Sequence, residues 1–264
     1  MGVRLVALDI DGTILERGAK LPSERMRQAV RALQEHGIGV VLASGRMYPG
    51  TLEIARALDT TTPLICQQGC AVHRLSGDLL HEFPLNDRIA RELAAYAREL
   101  ERPYEWFNPQ RYLVSSETNA SEQYAALSGV RPEYYPAPEE LGVRPTGVGV
   151  ISDRTTAPTI HRELVRQHGD ALHVLDFPDV TVSVAPDANK GHALSLLCAD
   201  LDVDRHDVLA IGDSVNDAPM LAWAGHGLAM NHADSYAMDA ADDVLDGDEE
   251  ALARFLEQLT PQSL

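Results

Sequence analysis

The sequence predicts an α/β fold in which a Rossmann-like parallel sheet carries an inserted α+β domain. Short β-branched runs alternate with longer segments of helical period at both ends of the chain, as is typical of a parallel sheet flanked by helices. The middle third contains strand candidates in closely spaced pairs, which favour antiparallel hairpins. The length of 264 residues suits a main domain with a smaller insert.

The predicted sheet starts near the amino terminus. Residues 3–8 form the first strand candidate, and residues 23–36 form an amphipathic helix candidate. A second strand candidate covers 37–43, a helix follows Pro49, and a third strand candidate covers 63–67. The apolar, β-branched character of these runs predicts strands that are buried in a parallel sheet.

The character of the sequence changes between residues 83 and 185. The strand candidates YEWFN and RYLVSS form one pair, and ALHVLDF and VTVSVA form another. Helix candidates at 87–100 and 155–168 separate these strands. We therefore predict an α+β insert over 83–185.

The parallel pattern returns after the insert. A helix candidate at 191–201 precedes a strand candidate at 207–212, and a last helix candidate covers 248–259. The predicted core therefore consists of two segments, 1–82 and 186–264.

The acidic balance of the chain argues against two classes of partner. Lys and Arg total 22 and Asp and Glu total 40, which gives a formal net charge of −18. Nucleic acid and anionic membrane surfaces are therefore not expected as partners. The same negative field repels phosphorylated substrates, so a phosphate site in this chain needs a cation and a few basic side chains.

The cysteines and the amino terminus predict a cytoplasmic location. Cys66, Cys70 and Cys198 are too few for a disulfide framework, so we expect them to be reduced core residues. The first ten residues run directly into a strand candidate without a long apolar stretch. Neither export nor membrane insertion is predicted, and we expect a monomer or a homodimer.

Four polar clusters follow predicted parallel strands or begin a helix. They are DIDGT (9–13), SGR (44–46), NKG (189–191) and GDSVND (212–217). Each is common alone, because Asp-Gly pairs form turns and Ser, Asp and Asn cap helices. Open α/β sheets bind ligands at the carboxyl ends of their strands, where these clusters would meet. Together they contain the complementary parts of a phosphoryl-transfer site.

The first cluster supplies the nucleophile in this interpretation. Asp9, held at a strand end, would attack phosphorus and form an aspartyl-phosphate. Asp11 would protonate the leaving oxygen and later deprotonate the attacking water. Gly12 permits the chain to bend after Asp11, and Thr13 can cap the turn that follows.

Attack of an anion on an anion needs cationic help, and oxygen-rich carboxylates suit Mg²⁺. Asp9, Asp213 and the backbone carbonyl of Asp11 are the predicted ligands, with Asp217 orienting metal-bound water and pairing with Lys190. Lys190 and the Ser44 hydroxyl would hold the transferring phosphoryl oxygens.

These motifs resemble the haloacid dehalogenase superfamily. LVALDIDGT, Ser44-Gly45-Arg46, Lys190-Gly191 and GDSVND are similar to its four motifs, and the insert, GCAVH and the carboxyl-terminal segment resemble its Cof-like branch with a type IIB cap. The resemblance implies a Mg²⁺-dependent phosphatase acting on sugar phosphates or similar small phosphorylated metabolites. It also implies a set of substrate-binding residues: Thr13, Gly45, Arg46, Gln68, Gly69 and Asn216.

The chain departs from the branch pattern at two places. Gln68-Gly69 stands where Asn-Gly is usual, which shifts or removes a phosphate contact. His232-Ala233 stands where Asn-Ala is usual, and this His is either a surface residue or one that tunes pH dependence.

Three residues of the insert are open to two interpretations. Trp106, Arg111 and Tyr112 either face a ligand or pack within a hairpin, and hairpin packing is the more common role of such residues.

Three alternative functions are compatible with parts of the pattern. A phosphomutase would return the phosphoryl group to a sugar. A phospho-Asp signalling module would use the same Asp, Lys and cation, but Asp11 speeds release of a phosphoryl group that a signal must retain. Carbon–halogen cleavage needs no Mg²⁺ and gives no reason for Lys190, Asp213 and Asp217.

Overall fold

A computed structural model describes residues 2–16 and 18–259 of the protein. The chain divides into two compact units, residues 1–80 with 189–264 and residues 81–188. The predicted domain limits after residues 82 and 185 lie within three residues of this division. Within the described ranges, no helix combines the length and apolar character needed to cross a membrane.

The helices and strands follow in chain order. The first stretch contains β1 (Leu5–Leu8), α1 (Glu24–Glu35), β2 (Gly39–Leu42), α2 (Tyr48–Ala57), β3 (Leu64–Cys66), β4 (Ala71–His73) and β5 (Leu79–Glu82). The middle stretch contains α3 (Asp87–Glu99), β6 (Tyr104–Phe107), β7 (Tyr112–Val114), α4 (Asn119–Ser128), β8 (Glu133–Tyr134), β9 (Gly147–Ile151), α5 (Ala157–His168), β10 (His173–Phe177) and β11 (Val180–Val184). The last stretch contains α6 (Lys190–Asp200), β12 (Val208–Gly212), α7 (Ala218–Trp223), β13 (His226–Met230), α8 (Ser235–Ala240), β14 (Asp243–Leu245) and α9 (Glu249–Gln258).

The core unit is built on a parallel sheet with strand order β14-β13-β12-β1-β2. β1 lies between β12 and β2 and is buried along its whole length. A parallel bridge between Ala43 and Ile65 places β3 beside the continuation of β2. Strands near the amino terminus and in the last third of the chain are therefore adjacent, although about 200 residues separate them.

Helix α1 shows why the flanking segments are helical. The Ser23 hydroxyl accepts the Met26 N–H at 3.1 Å, which satisfies one free donor of the first turn. Its apolar residues recur at helical spacing and form one buried face, made of Met26, Ala29, Val30 and Leu33. This face packs in one apolar cluster with residues of β1, β2 and α9.

The inserted unit contains a six-stranded sheet with order β10-β11-β9-β6-β7-β8. All neighbouring pairs are antiparallel except β7 with β8. One face of the sheet packs against α3 and α5 through a buried apolar cluster. The α+β insert and the two hairpins predicted from the sequence are therefore confirmed.

Several predicted elements agree with the structure within one or two residues, namely the first helix and strand, the 87–100 helix and the 207–212 strand. The sequence interpretation missed β9, the central strand that joins the two hairpins of the insert, and also α4 and β13. β9 reads Gly-Val-Gly-Val-Ile, and its two glycines hide the strand signal.

Candidate active site

The four polar clusters meet at one edge of the core sheet. Asp9 directly follows β1, Ser44 lies two residues after β2, and Asp213 directly follows β12. Lys190 is the first residue of α6, where the Asn189 side chain caps the helix by accepting the His192 N–H at 2.8 Å. Parallel strands place their carboxyl ends together, which explains why distant segments converge here.

Lys190 connects two of these clusters through a buried ion pair on each side. Its Nζ donates to Asp9 Oδ1 at 2.6 Å and to Asp217 Oδ1 at 2.5 Å, and its side chain is fully buried. Burial alone would lower the pKa of Lys190, but the Asp217 and Asp9 carboxylates raise it above its ordinary value. The ammonium group is therefore charged and fixed in place.

A third carboxylate, that of Asp213, lies close to the two that contact Lys190. One oxygen from each of Asp9, Asp213 and Asp217 lies within 4.8 Å of the others. Burial and the Asp217 charge raise the pKa of Asp9 well above its usual range. The same two causes raise the pKa of Asp213 to about 6.

This cluster fits a divalent cation. Three ionised carboxylates and one ammonium leave two negative charges uncompensated, and a second cation would relieve the repulsion that raises the pKa values of Asp9 and Asp213. Carboxylate oxygens are the ligands that Mg²⁺ prefers. Asp217 Oδ2 already accepts the N–H groups of Asp213 and Ser214 at 3.0 Å each, so Asp217 mainly orients the loop.

The first cluster packs directly on Asp213. Gly12 has a φ of +93°, and a Cβ at this position would lie 2.4 Å from Asp213 Oδ2. The Thr13 hydroxyl donates to Asp213 Oδ1 at 3.2 Å. Gly12 is therefore required both for its left-handed backbone and for the close approach of this carboxylate.

The Asp11 carboxylate is held by the guanidinium group of Arg46. The Arg46 Nε donates to Asp11 Oδ2 at 2.8 Å, and Nη2 donates to Oδ1 at 2.5 Å. The Arg46 side chain is only 6% exposed, whereas that of Asp11 is 44% exposed. Such a bidentate pair fixes the carboxylate plane in one orientation.

The turn after β3 joins the remaining clusters. Gln67 and Gln68 both adopt left-handed backbone conformations, with φ values of 51° and 63°. The Gln67 N–H donates to the Arg46 carbonyl at 2.8 Å, and the Gln68 N–H donates to the Ser44 carbonyl at 3.2 Å. Two consecutive left-handed residues store backbone strain, which is typical of functional sites.

Side chains of this turn also reach the last cluster. The Asn216 amide donates to Gln68 Oε1. A Cβ on Gly45 would lie 2.6 Å from Gln68 Nε2, and one on Gly69 would lie 2.2 Å from the Asn189 carbonyl carbon. The longer Gln68 side chain thus fits between Gly45 and Asn216.

The structure brings together all the site residues expected from the core motifs, including Ser44, whose hydroxyl accepts the Arg46 N–H at 3.1 Å. Sequence reasoning missed the contribution of Ser214, whose hydroxyl donates to Asn216 Oδ1 at 2.6 Å. Its position between Asp213 and Asn216 was the available signal. His232 also belongs here, because its Nε2 lies 2.8 Å from the Gly12 carbonyl oxygen.

The three candidates in the insert have structural partners. Trp106 is fully buried and donates its Nε1–H to the Val143 carbonyl at 2.8 Å. Arg111 forms a bidentate pair with Glu133 at 2.9 and 2.7 Å. The Tyr112 hydroxyl donates to Glu105 at 2.6 Å. All three side chains therefore have partners within the inserted unit, and the bond from Tyr112 to Glu105 joins the two strands of the β6–β7 hairpin.

Known proteins resemble this chain in sequence and in fold. A family model of haloacid dehalogenase-like hydrolases matches residues 6–256. The HMP-PP phosphatase of Escherichia fergusonii is 30% identical over 232 residues, which cover 87% of this chain and 85% of that protein. A haloacid dehalogenase-like hydrolase from Bacteroides thetaiotaomicron aligns with a TM-score of 0.82 at 24% identity, over 97% of this chain and 99% of that chain.

A further solved structure bears on the inserted unit. The HAD subclass IIB sugar phosphatase BT4131 aligns with a TM-score of 0.84 at 15% identity, over 97% of this chain and 98% of that chain. At this identity the likeness is one of fold. The predicted parallel core with a type IIB insert is confirmed, and the chain belongs to the haloacid dehalogenase-like hydrolase family, in its Cof-like branch, as a phosphatase.

Proposed function

We propose that the protein hydrolyses phosphate monoesters of small metabolites with Mg²⁺, through an aspartyl-phosphate on Asp9. One observation carries this proposal: Asp9 is buried at a strand end, is bonded to Lys190 at 2.6 Å, and shares a cluster with Asp213 and Asp217. A nucleophile, a fixed cation and a set of oxygen ligands thus lie within one small volume.

In the first step, an Asp9 carboxylate oxygen attacks phosphorus while the bond from phosphorus to the leaving oxygen breaks. Lys190 fixes the other Asp9 oxygen and, with the Ser44 hydroxyl, stabilises the negative phosphoryl oxygens. Asp11 donates a proton to the leaving oxygen. This donation requires a protonated Asp11, so its bidentate bond with Arg46 must open during the cycle.

In the second step, water attacks the phosphoryl group on Asp9. Asp11 accepts a proton from this water, and the bond between phosphorus and Asp9 breaks to release inorganic phosphate. Once Asp11 has given this proton to bulk water, its carboxylate is free to pair with Arg46 again through the two contacts found in the structure. The same residue therefore acts as acid and then as base.

Asp9 and Asp213, with the backbone carbonyl of Asp11, would hold the Mg²⁺ ion in this proposal. When bound, Mg²⁺ supplies positive charge to the phosphoryl oxygens and so reduces repulsion between two anions. Asp217 keeps the Asp213 loop in position through its bonds to two backbone N–H groups. The acidic cluster is the support for this assignment.

For the substrate, we propose a small phosphorylated metabolite, with sugar phosphates as the first class to test. The relative named HMP-PP phosphatase supports a phosphorylated substrate, and the likeness in fold to a subclass IIB sugar phosphatase is the reason to test sugar phosphates first. A cytoplasmic location and a monomer or homodimer stay predictions.

The test is phosphate release by Asp9→Asn and Asp9→Ala across a panel of phosphorylated metabolites, with and without Mg²⁺. We expect a loss of at least about 1,000-fold in both variants, because the nucleophile is removed. Asp239→Asn, which changes an exposed Asp of the same unit, should retain wild-type activity. Full activity of both Asp9 variants would refute the mechanism.

The product distinguishes the alternatives. Free inorganic phosphate supports hydrolysis, and an isomeric sugar phosphate would instead indicate a phosphomutase. A phosphoryl group that persists on Asp9 for minutes would favour a signalling module.

A further inference from the structure

His232 lies in the loop after β13, outside the four polar clusters. Its Nε2 donates to the Gly12 carbonyl oxygen at 2.8 Å and lies 3.9 Å from Asp213 Oδ2. Its side chain is 43% exposed, so it contributes little to the apolar core. This hydrogen bond connects two segments that are 220 residues apart.

The bond acts on a closely packed point of the site. Gly12 leaves no room for a side chain against the Asp213 carboxylate, because an added Cβ would lie 2.4 Å from Oδ2. A small displacement of the Gly12 carbonyl therefore moves the loop relative to Asp213. Asp9 precedes Gly12 by three residues, so this displacement also changes the distance between the two carboxylates.

The loop that carries the imidazole is itself held in position. The Asn231 amide, next to His232 in the chain, donates to Asp246 at 2.9 Å. The Asp234 N–H of the same loop donates to the Asp213 carbonyl at 2.9 Å. The loop is thus bonded to the Asp213 backbone on one side and presents the ring to Gly12 on the other.

We propose that His232 is a positioning residue of the cation site, whose Nε2–H holds the Gly12 carbonyl and so sets the spacing between Asp9 and Asp213. This inference rests on the proposed function, since it concerns the same Mg²⁺ site. Hydrogen bonds to the groups around metal ligands typically change metal affinity by about 10- to 100-fold. Replacing a surface histidine without this role would change the Mg²⁺ affinity little.

The test compares His232→Ala, His232→Gln and the matched control His206→Ala. Gln carries an amide N–H near the place of imidazole Nε2 and keeps the donor, whereas Ala removes it. His206 is an exposed histidine that pairs with Asp204 and precedes β12, at the opposite end of this strand from Asp213. Mg²⁺ affinity is measured by calorimetry on the whole protein, and phosphate release is measured over a Mg²⁺ titration.

We expect His232→Ala to weaken Mg²⁺ binding by about 10-fold and to leave kcat at saturating Mg²⁺ and the substrate KM within about 3-fold. His232→Gln should restore the affinity to within about 3-fold, and His206→Ala should match the wild type. A thermal unfolding curve in a chelator checks that each variant folds.

Two outcomes would overturn this inference, and a third would refute the proposed function on which it rests. Wild-type Mg²⁺ affinity in His232→Ala excludes a positioning role, and equal losses in the Ala and Gln variants exclude the donor role. A wild-type protein that releases phosphate without binding Mg²⁺ would refute the Mg²⁺ site of the proposed function, which is a separate failure. Weak binding in His232→Ala together with rescue by Gln supports the inference.

Discussion

The inserted unit contains a buried carboxyl group that makes the free energy of unfolding of this unit depend on pH. Glu105 of β6 is 4% exposed, and Tyr112 donates a hydrogen bond to it at 2.6 Å. Burial raises the pKa of Glu105 from 4.5 to about 7, although the bond from Tyr112 opposes this change. Replacing Glu105 with Gln removes the titration and keeps an oxygen that accepts the same bond.

The direction and size of the effect follow from the two pKa values. Below pH 4.5 the folded and unfolded states are both protonated at Glu105, so the carboxyl group adds no pH dependence. Between pH 4.5 and about 7 only the unfolded state loses the proton, which lowers the free energy of unfolding as pH rises. Because one pKa unit is worth about 1.4 kcal/mol, the total loss is about 3 kcal/mol.

The assay is urea unfolding at pH 5, 6, 7 and 8, followed by tryptophan fluorescence. The chain has two tryptophans, and Trp106 lies in the inserted unit, so a Trp223→Phe background reports on that unit. We expect the stability of Glu105→Gln relative to its parent to increase by about 2.5 kcal/mol between pH 5 and pH 8, because part of the total change already lies below pH 5. Parallel pH profiles for the two proteins would refute the reasoning.

Two further predictions concern the core unit. Lys190→Met removes the ammonium between two buried carboxylates. We expect at least about 100-fold slower phosphate release and a decrease of about 3–5 kcal/mol in the free energy of unfolding, measured with urea at pH 7. Unchanged stability would contradict the buried pairing. Gly69→Ala should lower activity and cost about 1–3 kcal/mol, because its Cβ would lie 2.2 Å from Asn189 and its φ is +98°. Gly37→Ala, with a φ of +78° and open space, is the control for backbone strain alone, and equal losses in both would exclude the collision.

The sequence was sufficient for the parts of the fold that depend on local pattern. Apolar periodicity predicted α1 and α3, and β-branched runs predicted β1 and β12. The clusters around Asp9 and Asp213 could be assigned to one site because the carboxyl ends of parallel strands converge. Both inferences use rules that need no knowledge of side-chain packing.

The features that the sequence did not predict depend on tertiary packing. β9 contains Gly147 and Gly149, which weaken a strand signal, yet a Cβ at Gly147 would lie 2.4 Å from the Phe107 ring and one at Gly149 would lie 2.6 Å from the Glu105 carboxylate. These glycines leave space for side chains of the neighbouring strand β6. No pattern within β9 itself carries that information.

The contacts of Asp11 and His232 were also beyond the sequence. Arg46 and Asp11 are 35 residues apart, and His232 and Gly12 are 220 apart, so their pairing depends on how loops meet at the sheet edge. The motif pattern indicated which residues lie near the site. It did not indicate which of them pair with one another.

The charges around Lys190 argue against an ion-pair network that serves stability alone. Lys190 begins α6, where the helix dipole disfavours a cation, so it needs the Asp9 and Asp217 carboxylates to remain buried and charged. Those two carboxylates already compensate the ammonium, and Asp213 adds a third acid whose pKa is raised to about 6. A network selected for stability gains nothing from a third carboxylate that repels the other two. A site that binds a divalent cation requires this carboxylate as a ligand and as a negative charge.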